Sequence, residues 1–355
     1  MPSFEGGGFA VHGPVVSFIA NEPRAYVNNT STISLSDDAI SAAMTDALDV
    51  ARAFEGATAP NPPVGCVLLD AEGQVISVGA HHGAGQLHAE ALAIQNARTV
   101  GMVNAIHTVV VTLEPCNHWG RTPPCTEAIL TTPAKQVVIG VADSNPHVSG
   151  GGADRLKAAG LTVSYFDVDR QPELGKALQR LIAPFRKRVT LGLPWVTVKQ
   201  ALNRMGSMLP PAGQKTFTAR PSLVLAHRLR RRADAIITGS GTILADDPHF
   251  TIRQVEDIAG KRRKLVLFDR RRRVSNDYVA GAEQRGFEVI FADELESTLR
   301  ALAKSGPLEV LVEAGPQLTA FILNSGFWDE HVLISQAATD DGEDKIETRY
   351  NIRKA

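Results

Sequence analysis

The strongest constraint on this chain is a set of residues far apart in sequence whose chemistry works only when they meet. They are His88 and Glu90 in 88-HAE-90, Cys116 in 113-LEPC-116, and Cys125 after 123-PP-124. One imidazole nitrogen and two thiolates form a three-ligand set for zinc that leaves a fourth position open for water. Glu90, two residues beyond the imidazole, would stay free to move protons as general acid and base. A single histidine would read more simply as a satisfied core residue. The combination with a nearby glutamate and two cysteines reads as a metal site, and any fold must bring position 88 beside positions 116 and 125.

The chain has three cysteines, too few for a disulfide framework, which points to a reducing compartment and so to the cytoplasm. Cys66, inside 64-VGCVLL-69, reads as a small buried hydrophobe and leaves Cys116 and Cys125 as the pair. At 355 residues the chain exceeds one ordinary core, and two domains are expected. Hydrophobic residues make up 44% and charged residues 21%, as in soluble globular proteins. The formal net charge of -1 provides no global field for nucleic acid or an anionic membrane. The runs 230-RRR-232, 261-KRRK-264 and 270-RRRR-273 are therefore local, either solvated faces or patches for a small ligand's phosphate. No apolar stretch approaches the roughly 18 to 20 residues that span a bilayer, and no basic segment with an apolar h-region opens the chain.

Residues 1–35 lack a sustained period and read as a loose extension. From Ser36 the spacing of Ile40, Met44, Ala47, Leu48 and Ala51 predicts a capped helix. The runs 64-VGCVLL-69 and 74-QVISVGA-80 predict a hairpin, 107-HTVVVTL-113 and 136-QVVIGV-141 predict buried strands, and helices are expected from about His88 and Cys125. This alternation predicts a layered α/β domain over 36–189 with its chemistry on loops at the strand ends. Strands near 195–201, 234–239, 265–269, 287–292 and 308–315, interleaved with helices, predict a second α/β domain over 190–338. The charged, weakly periodic stretch 339–355 reads as a tail.

H-x-E followed by P-C-x-x-C is the signature of zinc deaminases. Here 88-HAE-90 and 115-PC-116 match, and only the second cysteine is displaced, with eight residues between the pair. His88 and Cys125 would each open a helix, where the positive dipole end favours thiolate and hydroxide. The intervening 117-NHWGRT-122 then forms a rim carrying donors, an aromatic ring and a cation. Together with 60-PNPPVGCV-67, 79-GAHHGAGQLHAEALAI-94 and 143-DSNPHVSGGGADRLKAAG-160, this run resembles the deaminase half of the bifunctional RibD family of riboflavin biosynthesis. The resemblance implies a cytidine-deaminase-like zinc domain followed by a dihydrofolate-reductase-like domain. It implies deamination of a phosphoribosylated diaminopyrimidinone and then NADPH-dependent reduction of its ribosyl group, in a homo-oligomer acting on a small molecule rather than on nucleic acid or membrane. It further implies that His88, Cys116 and Cys125 hold zinc, that Glu90 is the proton shuttle, and that Asn61, His81, His118 and Arg121 contact the deaminase substrate. Asp143 and Asn145 read as loop braces.

The second half carries 194-PWVTVK-199, 229-LRRRADAIITGSGTILADDPHFTIR-253 and 310-VLVEAGP-316, which resemble the family's reductase domain. That likeness implies Ala201, Thr242, Asp246 and Gly315 at the cofactor, and Arg230, Phe250, Arg253 and Glu313 at the reductase substrate. The absence of G-x-G-x-x-G agrees with such a fold and argues against a Rossmann module. Three positions depart from the family pattern: Met205 replaces an Asp, Thr216 a Trp and Leu223 an Arg. A thioether cannot accept a hydrogen bond as a carboxylate does, so the residues leave two readings open: a working reductase, or a silent fold beside a deaminase. A third reading, a deaminase of tRNA or single-stranded DNA, shares the zinc site. The near-neutral charge, the long cysteine spacing and the second domain count against it.

Overall fold

A computed structural model describes residues 35–119, 123–145, 151–210, 213, 216–339 and 342–351. Arg121 and the expected extension, apart from Leu35, lie outside them. The first layered unit runs α1 (Asp37–Arg52), β1 (Gly65–Leu69), β2 (Val75–Ala80), α2 (Ala89–Thr99), β3 (Thr108–Leu113), α3 (Cys125–Leu130), β4 (Gln136–Val141), α4 (Gly151–Ala158), β5 (Thr162–Tyr165) and α5 (Pro172–Leu191). Ser36 caps α1 by accepting from the Ala39 amide at 3.2 Å, as its residue type predicts.

Strand order is β2-β1-β3-β4-β5. β1 is antiparallel to β2 and β3, while β3, β4 and β5 run parallel. β1 and β3 are buried along their whole length, because helices cover both faces. Alternation splits their side chains between two cores. Val67, Leu69 and Val110 pack with α1 and α5, whereas Cys66, Leu68, Val109 and Val111 pack with α2, α3 and α4.

The pairing also decides where a site can form. Gly65 pairs with Ala80, Cys66 with Val111 and Leu113 with Val141. The start of β1 and the ends of β2, β3 and β4 therefore share one edge of the sheet. Residues just before β1 or just after the other three converge there.

The second unit runs β6 (Trp195–Leu202), α6 (Arg220–Arg232), β7 (Ala235–Gly239), α7 (Ser240–Asp246), β8 (Arg263–Phe268), α8 (Asn276–Gln284), β9 (Phe287–Ala292), α9 (Leu295–Ser305), β10 (Glu309–Val312), α10 (Pro316–Ser325), β11 (Glu330–Ser335) and β12 (Lys345–Tyr350). Its sheet has the order β12-β11-β6-β10-β7-β8-β9, parallel except for the β11–β12 pair. One face packs on α9 and α10 through Val196, Val198, Ile237, Val310 and Leu299. The other carries two clusters, around Ile236 and Leu267 and around Leu229, Leu311 and Ile334.

Two expectations change. The stretch expected as a tail supplies β12, which pairs with β11 from Glu330–Tyr350 to Ser335–Lys345. It is an edge strand, exposed and charged because half of its surroundings are water, so it lacks the apolar alternation that marks buried strands. The boundary expected near 189 falls inside the last turn of α5. That helix is shared: Leu178, Leu181 and Ile182 fill the first core, while Lys187 donates to Asp329 at 2.6 Å and Arg180 to Glu330 at 2.8 Å in the second unit.

Candidate active sites

The first site occupies the sheet edge that the register prescribes. His88 is the N-cap of α2, Cys116 follows β3, and Cys125 opens α3 behind Pro124. A Cβ at Gly79 would stand 2.3 Å from the Ala89 carbonyl oxygen, so only glycine lets α2 press this closely on β2 and bring its first turn to the edge. His88 Nδ1 lies 3.2 Å from Cys125 Sγ and 3.5 Å from Cys116 Sγ. The Cys125 amide donates to Cys116 Sγ at 3.4 Å, and the three ligand atoms lie within 4.8 Å of one another.

This donor set fits zinc. The Cys116 thiol is held well below its ordinary pKa, first by the hydrogen bond from Cys125 and, against burial, by those from His88 and the Cys125 amide. An acidified thiol beside an imidazole and a second thiol is a preformed soft-ligand set. Glu90 is buried in the first turn of α2. Burial pushes its carboxyl up to about 7, with the Cys116 thiolate adding to the effect. A carboxyl balanced near neutrality is suited to both taking and giving a proton.

A cavity of ≈ 410 Å³ opens beside these groups, bordered by Asn61, His81, Glu114, His118, Asp143 and Phe185, among others. His81 Nδ1 lies 3.0 Å from the Leu87 carbonyl and therefore carries the proton. Nε2, 3.1 Å from Asn61 Nδ2, is the acceptor, which leaves Asn61 Oδ1 as the free acceptor of that amide. Burial lowers the His81 pKa and favours this neutral form. His118 is exposed at the cavity's border, next to Trp119, which is 78% exposed. Asp143 accepts from the Asn145 amide at 2.8 Å, a brace of the kind expected.

Glu114 was not singled out by sequence reasoning. It is buried, and its carboxylate accepts from the amides of Asp143 (3.3 Å) and Ala153 (3.1 Å) and from the Tyr165 hydroxyl (3.4 Å), tying the loops after β3 and β4 to α4 and β5. Its position inside L-E-P-C was the available signal. Phe185 had none, since only the packing of α5 brings it to the cavity.

In the second unit the carboxyl ends of the parallel strands β7, β8 and β10 border a cleft of ≈ 770 Å³, the position at which such sheets bind ligands. Thr242, Asp246 and Gly315 line it together, as do Arg270, Arg271 and Arg273 of the basic run. A Cβ at Gly315 would meet Thr242 Oγ1 at 3.3 Å, and α10 opens directly behind it at Pro316. Backbone without side chains, a helix N-terminus and three cations make a cradle that fits a phosphate-bearing cofactor. Ala201 does not line this cleft; it packs against the cluster of Leu229, Leu311 and Ile334.

Glu313, just beyond β10, accepts from Arg230 at 2.5 Å and 3.2 Å and pairs with Lys199 at 3.2 Å. Burial alone would raise its carboxyl, but Arg230 and Lys199 hold it at about 2. The Arg230 guanidinium lies 5.8 Å from the Phe250 ring, whose backbone adopts φ 54. The Arg253 amide donates to His227 Nδ1 at 2.9 Å. Arg230, Phe250, Arg253 and Glu313 do not border the larger cleft, and Phe250 packs in the cluster of Ile236 and Leu267.

Residues 37–141 match the profile of the cytidine and deoxycytidylate deaminase zinc-binding region, and residues 206–337 match the RibD C-terminal domain. The chain is 33% identical over 310 residues to the riboflavin biosynthesis protein RibD of Aquifex aeolicus, covering 81% of this chain and 84% of that protein. With RibD of Mycobacterium tuberculosis it is 36% identical over 288 residues, covering 81% and 82%. The chain belongs to the RibD family. It is an enzyme of riboflavin biosynthesis with deaminase and reductase activities, using zinc in the first and NADPH in the second. The solved structure of Acinetobacter baumannii RibD (form 1) agrees with a TM-score of 0.73 at 31% identity, covering 87% of this chain and 89% of that one. The fold is thus the RibD arrangement of a cytidine-deaminase-like zinc domain and a RibD C-terminal reductase domain. Among the described residues no helix is long and apolar enough to cross a membrane.

Proposed function

We propose that the chain deaminates 2,5-diamino-6-(5-phosphoribosylamino)pyrimidin-4(3H)-one over residues 36–189 and then reduces the ribosyl group over the remainder, which we extend from 190–338 to include β12. The solved Thermotoga maritima relative, with a TM-score of 0.74 at 30% identity, bears both activities in its name, as a diaminohydroxyphosphoribosylaminopyrimidine deaminase and 5-amino-6-(5-phosphoribosylamino)uracil reductase. The observation that carries the deaminase reading is the convergence of His88, Cys116 and Cys125 beside the buried carboxyl of Glu90.

His88, Cys116 and Cys125 hold the zinc, which when bound lowers the pKa of water and so supplies a nucleophile at neutral pH. Glu90 is not a ligand: its carboxylate takes the proton and delivers it to the departing amino nitrogen. Asn61, fixed by His81, offers Oδ1 to a donor on the pyrimidine edge. His118 and Arg121 meet the phosphoribosyl end, for which a cation at the pocket mouth is needed. In the second unit Thr242, Asp246 and Gly315 seat NADPH, the hydride source, while Ala201, packed away from the cleft, takes no part. Glu313, kept ionised by Arg230 and Lys199, accepts from a hydroxyl of the ribose chain, and Phe250 and Arg253 complete that wall. A cytoplasmic location agrees with the three free cysteines, and a homo-oligomer is what the resemblance implies.

The test supplies purified protein with the diaminopyrimidinone phosphate and follows ammonia release and NADPH absorbance separately. Both signals are expected. Ammonia without NADPH loss would overturn the reductase half of the reading, and no ammonia would overturn the deaminase half.

A further inference from the structure

The segment that carries Asn61 into the first site is held at its other end by the second unit. Lys261 Nζ, on the approach to β8, donates to the Gly56 carbonyl at 2.6 Å and to the Arg232 carbonyl at 3.0 Å, and pairs with Asp234 at 2.9 Å. Its side chain is only 8% exposed. Arg231 reaches the same segment, donating to the Glu55 carbonyl at 3.3 Å and the Ala53 carbonyl at 3.2 Å. Gly56 sits at φ +82, and a Cβ there would stand 2.6 Å from the Arg232 carbonyl oxygen, so the two backbones meet without a side chain between them.

From this anchor two short routes lead into the cavity. The Ala57 amide donates to the Phe54 carbonyl and the Asn61 amide to the Thr58 carbonyl, both at 2.9 Å, so 54–61 is a run of linked turns ending on Asn61. Phe54 stacks on His82 with ring centroids 4.2 Å apart, and His82 adjoins His81, the partner of Asn61. Neither Lys261 nor Arg231 borders the zinc site or the cleft of Thr242 and Gly315.

We infer that Lys261, supported by Arg231, is a positioning residue for deamination: a cation of the reductase half sets the place of the substrate-binding amide of the deaminase half. The inference rests on the proposed substrate role of Asn61. A contact felt equally by ground and transition states appears in KM rather than kcat. Lys261→Met in the full-length enzyme is therefore expected to raise the deaminase KM about tenfold with kcat within about twofold, one hydrogen bond being worth up to that ratio.

Zinc content, and the KM and kcat of the reductase for both its substrates, should stay at wild-type values, and amide hydrogen exchange across 53–61 should accelerate. Lys261→Arg, which keeps the cation, should restore most of the KM. Arg231→Met, at a less buried position, provides the same readout should Lys261→Met fail to fold. Parallel loss of both activities, or an unchanged deaminase KM in Arg231→Met and in folded Lys261→Met, would overturn the inference. Asn61→Ala, assayed beside them, separates the two readings, because an unchanged KM there overturns the substrate role of Asn61 itself.

Discussion

The two candidate sites solve opposite problems. The zinc site is narrow, with a cavity of ≈ 410 Å³, and its working groups are titratable side chains shifted by burial and mutual hydrogen bonds: the Glu90 carboxyl up to about 7, the Cys116 thiol down and, as its hydrogen-bond partner, the Cys125 thiol up. The second cleft is wider, at ≈ 770 Å³, and presents bare backbone and permanently charged arginines, while the buried carboxylate of Glu313, just beyond β10, is held far from titration. The first arrangement moves protons, so its groups must be able to change charge near pH 7. On the proposed reading the second holds a large anionic cofactor, so its groups must not. The comparison implies that each site can be disabled without the other by a substitution that preserves shape.

The largest expected effect is on the zinc side. Glu90→Gln should reduce ammonia release by roughly 10²–10⁴-fold, the range of one lost general acid–base. It should keep zinc and leave NADPH oxidation with pre-formed uracil substrate intact. Metal analysis beside the two assays checks this, and loss of zinc would refute the role of Glu90 as a non-ligand. Next comes Cys125→Ser, which should release the metal and lower the thermal midpoint of the first unit, because the ligands come from separate elements and their metal ties those elements together. Unchanged zinc content would remove the distant cysteine from the ligand set.

How far each half could be read from sequence follows the same division. The zinc half was legible because H-x-E, P-C and the second Cys each stand at the terminus of a buried strand or a helix, so local pattern and chemistry coincide. The bracing by Glu114 and the wall supplied by Phe185 escaped notice, since both depend on which loop or helix packs nearby. In the reductase half Thr242, Asp246 and Gly315 were brought together as expected, but Ala201 was not. The basic run 270–273, open in sequence between solvent and a phosphate patch, has three of its arginines at the cleft. β12 was missed because an edge strand with KIETRY carries too little apolar signal to separate from a charged tail.

Glu313→Gln tests the charged half of the comparison. It should abolish NADPH oxidation and spare deamination. Leaving Arg230 and Lys199 buried without their carboxylate should cost about 3–5 kcal/mol at neutral pH. The wild-type carboxyl titrates at about 2 when folded, below its ordinary value of 4.5. Its stabilising contribution is therefore complete above about 4.5 and is lost as pH falls from there toward 2. The gap between wild-type and variant thermal midpoints should accordingly narrow on acidification through that window. A gap that stays constant would mean that the carboxylate is not the charge that matters.

The smallest effect is expected at Met205, where the resemblance leads one to expect an aspartate. The side chain is 86% exposed on the turn that follows β6. Asn203 builds that turn: its Oδ1 accepts from the amides of Met205 and Ser207, each at 2.9 Å, and its carbonyl accepts from the Gly206 amide at 2.8 Å. The backbone geometry thus does not depend on the side chain at 205, and Met205→Asp should change stability by no more than about 0.5 kcal/mol. If a carboxylate there reaches a ligand hydroxyl, it adds one hydrogen bond, and reductase kcat/KM should rise by up to about tenfold. We expect a gain within that range, together with unchanged ammonia release. Unaltered NADPH kinetics would show that a carboxylate at position 205 has no role in this chain. In that event the reductase works through the Lys199–Glu313–Arg230 cluster and the cleft alone.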